Sequence, residues 1–176
     1  MRGKTIEFFE ILGEDSSLIE REMYKNVGEY PVFSGQTRNK GIVGYIDSYK
    51  YEGEFLTWTT YGVKAGTVFY RNCKFSIGRN CAGLRLKGKY KGEINLKYIK
   101  LLLQKKIFDE MGSKDCRGNA STELVSNIEI DIPKPEEQNK IVRLSEEEHK
   151  KYSKKIEKKA KINKKNKLFS QLTINK

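Results

Sequence analysis

The residue types that could perform catalysis are few in this chain, and their spacing does not assemble them. The single histidine, His149, stands in the run Glu146-Glu147-Glu148-His149-Lys150-Lys151, with no serine or cysteine nearby in a setting that would pair with it. Neither a nucleophile–histidine pair nor a histidine-based metal site is indicated, and a solvated helix residue is the simpler reading. Glu129 and Asp131 lie two apart on an expected strand and would share a face, with Lys134 close by. A metal-dependent nuclease can use such a set, but no third carboxylate accompanies them, and ordinary edge-strand charges explain the pair equally well. The glycines form neither a phosphate-binding G-x-x-x-x-G-K-[ST] nor a strand-linked G-x-G-x-x-G. Cys73, Cys81 and Cys116 are odd in number and contain no C-x-x-C pair, which argues against structural zinc and against a disulfide framework.

Recognition chemistry is better supplied. Ser34-Gly35-Gln36-Thr37-Arg38-Asn39-Lys40 forms a polar turn between expected strands, rich in side chains that can contact bases or phosphates. Arginine suits guanine in the major groove, and asparagine or glutamine suits adenine. Thr59, Thr60, Tyr61 and Lys64 in a second turn, Arg79 and Asn80 in a third, and Lys114, Arg117 and Asn119 in a fourth repeat the theme. Each turn alone could be an unremarkable surface loop; taken together they favour double-stranded DNA. Between Glu54 and Glu93 there is no acidic residue, while Lys64, Arg71, Lys74, Arg79, Arg85, Lys87, Lys89 and Lys91 fall within it. That stretch is either a field for phosphate or a solvated strand face.

The elements that must position these turns follow from hydrophobic patterning. With 176 residues, 37% of them hydrophobic and 33% charged, the chain suits one core plus an appendage. Net charge is +12, and residues 145–176 alone hold eleven Lys against four Glu. Residues 5–12 and 16–26 are expected as short helices. From Tyr30 to Leu86 the texture is strand and turn, with strands expected at 41–46, 54–59, 66–70 and 74–77. Asn95 is expected to cap a helix whose Leu96, Ile99, Leu102, Leu103, Ile107 and Met111 make one buried face, ended by Gly112. A short helix from Thr122, a strand over 128–132 and a final helix opened by Pro135 complete the chain. The expected class is α+β: a small curved mixed sheet with flanking helices over residues 1–134, then a long charged helix over 135–176.

That last helix, running to about Leu172, carries Ile141, Leu144, Tyr152, Ile156, Leu168 and Leu172 at steps suited to a coiled-coil seam. The alternative is a lysine-rich tail that holds nucleic acid without specificity. No apolar signal segment and no run approaching the ~18 residues of a membrane span is visible, so reduced thiols in a cytoplasm are expected.

Four segments in order, Tyr30-Pro31-Val32-Phe33-Ser34-Gly35, Gly41-Ile42-Val43-Gly44-Tyr45-Ile46-Asp47-Ser48-Tyr49, Leu56-Thr57-Trp58-Thr59-Thr60-Tyr61-Gly62 and Ala65-Gly66-Thr67-Val68-Phe69-Tyr70-Arg71, resemble specificity subunits of type I restriction–modification systems. The likeness continues through Asn95–Met111 and Ile128–Pro133 with Glu136-Glu137-Gln138. It implies a non-catalytic target-recognition domain that reads one part of a split DNA sequence. It also implies a helix that serves as spacer and docking surface for a methyltransferase subunit, with a restriction subunit as a further partner. Methyl transfer from S-adenosylmethionine would belong to the methyltransferase, leaving this chain without a cofactor. Members commonly carry an acidic residue where this chain has Tyr61, and full-length subunits have two recognition domains and two long helices. The resemblance therefore implies a half-subunit that restores the pair as an antiparallel homodimer through residues 135–172. A truncated product, a recognition segment of a single-chain restriction–methylation enzyme, and a regulatory protein that binds the methyltransferase without reading sequence remain alternatives.

Overall fold

The computed structural model describes residues 1–14, 28–113 and 118–174, the side chains of residues 113 and 164–174 excepted. The helix expected over 16–26 lies outside the described residues. In chain order the elements are β1 (Arg2–Lys4), α1 (Thr5–Phe8), β2 (Phe9–Leu12), β3 (Tyr30–Phe33), β4 (Ile42–Ile46), β5 (Tyr51–Thr59), β6 (Val68–Ile77), β7 (Cys81–Leu86), α2 (Leu96–Ser113), α3 (Thr122–Asn127), β8 (Glu129–Asp131) and α4 (Pro135–Ile174). Strands β2-β7-β5-β6-β3-β4, in that spatial order, make a six-stranded sheet, and β1 pairs with β8 in a separate two-stranded ladder. All pairings are antiparallel except β3 with β6, so the sheet is mixed and the fold is α+β as the patterning implies.

Residues 5–12 are not one helix. A single turn, Thr5–Phe8, gives way to strand β2, which pairs with β7 from Phe9 opposite Leu86 to Leu12 opposite Gly83. The phenylalanines explain the break: consecutive Phe8 and Phe9 are both buried, and changing from helix to strand between them lets both reach the interior. The strands expected over 66–70 and 74–77 are one ten-residue strand, β6, because Arg71-Asn72-Cys73 continues the ladder opposite Phe55-Glu54-Gly53. Strand β7 also forms, with Cys81, Ala82, Gly83 and Leu84 all buried. Gly83 lets Ile77 pack closely there, since a Cβ would lie 2.8 Å from Ile77 Cδ1.

The interior has an aromatic centre. Phe33, Phe55 and Phe75 pack with Ile77 and Cys81, and the Phe55 and Phe75 rings meet edge to face at 5.2 Å. Helix α2 buries Leu96, Ile99, Leu103 and Ile107 at the expected three- and four-residue steps. Asn95 caps it, its Oδ1 accepting from Lys97 N at 2.9 Å. Mid-helix, Gln104 donates from Nε2 to Gly66 O and accepts at Oε1 from Val68 N, both at 2.9 Å. The helix thereby holds the entry to β6 as well as the core.

Two units emerge, Met1–Gln138 and Asn139–Lys176. The first closes on Gln138, which is fully buried: Oε1 accepts from Asn95 N at 2.8 Å, and Nε2 donates to Glu93 O at 2.9 Å and Pro133 O at 2.8 Å. The second is helical to Ile174. Helix α4 counts 40 residues, which at about 1.5 Å each makes roughly 60 Å of helix. No described helix is long and apolar enough to cross a membrane.

Candidate nucleic-acid interface

The polar turns singled out above are far apart in sequence and adjacent in space. After β3, the chain turns through Arg38–Gly41, where Asn39 (φ 48°), Lys40 (φ 53°) and Gly41 (φ 85°) are successively left-handed. Two non-glycine residues in that region store local strain and aim Arg38, Asn39 and Lys40 outward, all three exposed. The Gln36 amide donates to Ile42 O and closes the turn from within. Ser34 N donates to Gly41 O at 2.9 Å.

From here the turns are stitched together by main-chain hydrogen bonds. Gly35 N donates to Arg79 O, and Thr60 N donates to Asn80 O, each at 2.9 Å. Ala120 N donates to Thr60 O at 2.7 Å and Gly62 N to Gly118 O at 2.8 Å, around a β-bridge between Tyr61 and Asn119. The order is therefore 34–41, 79–80, 60–62, 118–120, one continuous rim. Trp58 anchors it from below, its buried indole N–H donating to Ala120 O at 2.9 Å. Exposed along the rim are Gln36, Arg38, Asn39, Lys40, Arg79, Asn80, Tyr61, Lys64 and Asn119, with Ser34, Thr37 and Thr60 half-buried. Hydrogen-bonding, aromatic and cationic groups on one rigid edge are the equipment for reading bases and gripping phosphates.

Two of the expected contacts are turned inward. Arg71 is 6% exposed, its guanidinium 3.5 Å from the Phe33 ring centroid and 4.5 Å from that of Phe69, with Nε donating to Thr57 Oγ1 at 3.0 Å. Burial pulls its pKa down to about 10, which leaves it charged at neutral pH. It sits beneath the first turn, where a Cβ on Gly41 would come within 3.0 Å of Nη2. Arg71 thus supports the 34–41 turn instead of facing solvent. Thr59 is likewise buried, and its Oγ1 has no hydrogen-bond partner.

The acid-free stretch is less of a positive field than its sequence implies, because the fold brings acids to it. Arg85 pairs with Glu10 at 2.5 Å across the β2–β7 ladder, and Lys74 with Glu52 at 3.8 Å across β5–β6. Lys87 donates to Ile6 O at 2.7 Å. Lys64 and Arg79 are the members of that stretch that stand on the rim.

Comparison with known proteins bears on what this rim is for. Residues 4–165 match the family described as the type I restriction modification DNA specificity domain. The chain belongs to that family. A Mycoplasma pneumoniae protein provisionally named a type I specificity subunit is 40% identical over 122 residues, 69% of this chain and 39% of that protein. The specificity subunit of the type I restriction enzyme MpnII, from the same organism, is 38% identical over 116 residues, 66% of this chain and 34% of its own length. Among solved structures, the S subunit of the M. genitalium type I restriction–modification system superposes with a TM-score of 0.68 at 20% identity, over 88% of this chain and 41% of that one. The HsdS subunit of Thermoanaerobacter tengcongensis gives 0.64 at 16% identity, over 87% and 38%. At those identities the structural likeness speaks to the fold. The chain spans about two fifths of the length of the relatives it matches.

The carboxylates weighed earlier lie on the β1–β8 ladder and not on the rim. Glu129 is held on the surface by Arg2 at 3.0 Å on the β1–β8 ladder, and no metal-holding cluster of His, Cys, Asp and Glu occurs among the described residues. His149 is exposed on α4. Lys114 and Arg117 lie outside the described residues. The rim also gains groups that patterning did not flag. Glu14 Oε2 accepts from Asn80 N at 2.8 Å, a contact across 66 residues that no local signal announces. Val63 stands fully exposed at the apex of the second turn, where the only advance sign is an apolar residue between Gly62 and Lys64.

Proposed function

We propose that this specificity domain reads one half of a bipartite duplex DNA target through the rim 34–41, 79–80, 60–64 and 118–120, and carries recognition for a methyltransferase subunit that performs the chemistry. The observation that carries this reading is the main-chain stitching of four polar turns into one edge. Base readout needs donors and acceptors fixed to within a fraction of an ångström, and hydrogen-bonded turns on a sheet supply that better than free loops. Arg38, Asn39, Arg79, Asn80 and Asn119 are the candidates for base edges, with Lys40 and Lys64 for phosphates; Lys114 and Arg117 belong to the same proposal by sequence. S-adenosylmethionine would be bound by the methyltransferase, and a restriction subunit would join the same assembly.

The long helix α4 completes the proposal as a spacer and dimer seam in a cytoplasmic complex, joining residues 1–134 of one copy to those of another. Ile141, Leu144, Tyr152 and Ile156 are 36%, 53%, 63% and 51% exposed and fall on one side of the helix, apolar surface that a second helix could cover. Leu168 and Leu172, whose side chains lie outside the described residues, belong to the same proposal by sequence alone. Two copies joined antiparallel would present two rims to an inverted repeat with a gap.

Methylome sequencing of cells carrying this chain with its cognate methyltransferase tests the reading. A gapped, symmetric modified site is expected. Equal binding to every duplex tried, with the methyltransferase present, would instead make the chain an interaction protein that reads no sequence. Light scattering tests the seam, and a monomer at high micromolar concentration would overturn it.

A further inference from the structure

We infer that Val63 reads the 5-methyl group of a thymine within the half-site, an inference that rests on the DNA-reading function proposed above. Val63 is 100% exposed, beside Tyr61 at 62%. Isolated exposed valines are common, but this one is displayed by a rigid device. Ala65 N donates to Gly62 O at 2.9 Å, Gly66 N to Thr59 O at 2.8 Å, and Thr67 Oγ1 to Lys64 O at 2.8 Å, so the turn is closed on both sides of Val63. Gly62 (φ 109°) and Gly66 (φ 82°) supply the left-handed conformations the turn requires. Gly66 also lies so close to α2 that a Cβ would meet Ile107 Cγ2 at 2.7 Å, which clamps the turn against the helix.

Beside this apex is an apolar groove of about 550 Å³, with Tyr61, Val63, Ala65, Phe108 and Met111 among its lining residues. Phe108 is 48% exposed although it lies on the core helix. The polar neighbours decide what such a tip meets. Asn119 is bridged to Tyr61, Lys64 follows Val63 directly, and the rim of Asn80 and Arg79 adjoins Thr60. In the major groove every base edge offers donors or acceptors, and the one apolar feature is the thymine 5-methyl group. A β-branched side chain has few rotamers to lose, so Val63 is prepaid for such a contact. The cation at Lys64 would meet the adjoining phosphate.

The test uses the full-length chain and a duplex selected from a randomised library. Each thymine of the selected site is replaced singly by deoxyuridine, which removes only the methyl group, and binding is measured by fluorescence anisotropy. One position is expected to weaken binding about fourfold, the worth of one buried methyl-sized group. In Val63→Ser that position is expected to stop distinguishing thymine from deoxyuridine, with unchanged thermal melting because the side chain touches no core. A selected sequence with undiminished discrimination in Val63→Ser, or with no thymine that responds, would overturn the inference while leaving sequence reading intact. The latter result together with wild-type DNA affinity in Val63→Ser would assign the groove to a protein contact. Failure to select any sequence would overturn the reading and the inference together.

Discussion

Replacing Gly118 with alanine strikes the joint between two of the proposed reading turns. Gly118 has φ 77°, and an added Cβ would lie 2.7 Å from Gly62 O and 3.2 Å from Gly62 C. The left-handed backbone costs a residue with a side chain about 1–2 kcal/mol. The clash is with main chain, so a rotamer change cannot relieve it. The turns must part, which strains or breaks Gly62 N–Gly118 O and Ala120 N–Thr60 O, each worth about 0.5–1.5 kcal/mol net. The sum is about 2–5 kcal/mol, equivalent to roughly 4–20 °C in melting temperature if the loss is felt globally. If only the joint opens, melting falls less and selectivity falls more, because Tyr61 and Asn119 lose their register. Calorimetry and anisotropy on the same preparation separate these routes, with Gly112→Ala as control, since a Cβ there meets nothing within 4 Å. A Gly118→Ala protein that melts within 1 °C of wild type and keeps the wild-type preference would refute the claim that the rim is one coupled unit.

Three further outcomes follow from the same contacts. Gln138→Leu should lose about 3 kcal/mol in urea unfolding, because Asn95 N, Glu93 O and Pro133 O are left without the buried amide that serves all three. Thr59→Val should be neutral or up to about 1 kcal/mol stabilising in the same measurement, since it removes a buried hydroxyl that has no partner; a clear loss would mean that Thr59 Oγ1 is satisfied in solution. Iodoacetamide at pH 8.5, read by peptide mass spectrometry, should label exposed Cys73 and spare Cys81, whose thiol burial pushes up to about 12 so that almost no thiolate exists there.

What could be read in the sequence was the part governed by local period. The buried face of α2 and the Asn95 cap follow from 3.6-residue spacing and side-chain chemistry, and both appear in the structure. The errors share one cause, which is that strand pairing is non-local. Phe9-Glu10-Ile11-Leu12 fits a helix until β7 supplies its partner. Arg71 looks like a surface cation within a polar break until Phe55 stands opposite it and Phe33 and Phe69 cover its guanidinium. Turn chemistry showed which loops were polar, but adjacency of residues 60–62 with 118–120 is a property of the folded chain, as is the ion pairing that quenches Arg85.

The way the rim is fastened has a consequence for how specificity could change. Gly35 N to Arg79 O, Thr60 N to Asn80 O, Gly62 N to Gly118 O and Ala120 N to Thr60 O are all main-chain bonds. None depends on the identity of an exposed side chain, and the positions where a side chain is forbidden or needed are few: Gly35 for its close approach to Asn80, Gly41, Gly62, Gly66 and Gly118 for conformation, Trp58 and Arg71 for support. Substitution at Arg38, Asn39, Arg79, Tyr61, Val63 or Asn119 therefore costs the fold little, since exposed changes away from special backbone geometry usually stay within about 0.5 kcal/mol. Asn39 is the partial exception, because asparagine tolerates its left-handed conformation better than most residues. On the proposed function, a scaffold held by its backbone could thus take on a new half-site through a few surface substitutions, with stability fixed by residues such as Trp58 and Arg71 beneath the rim.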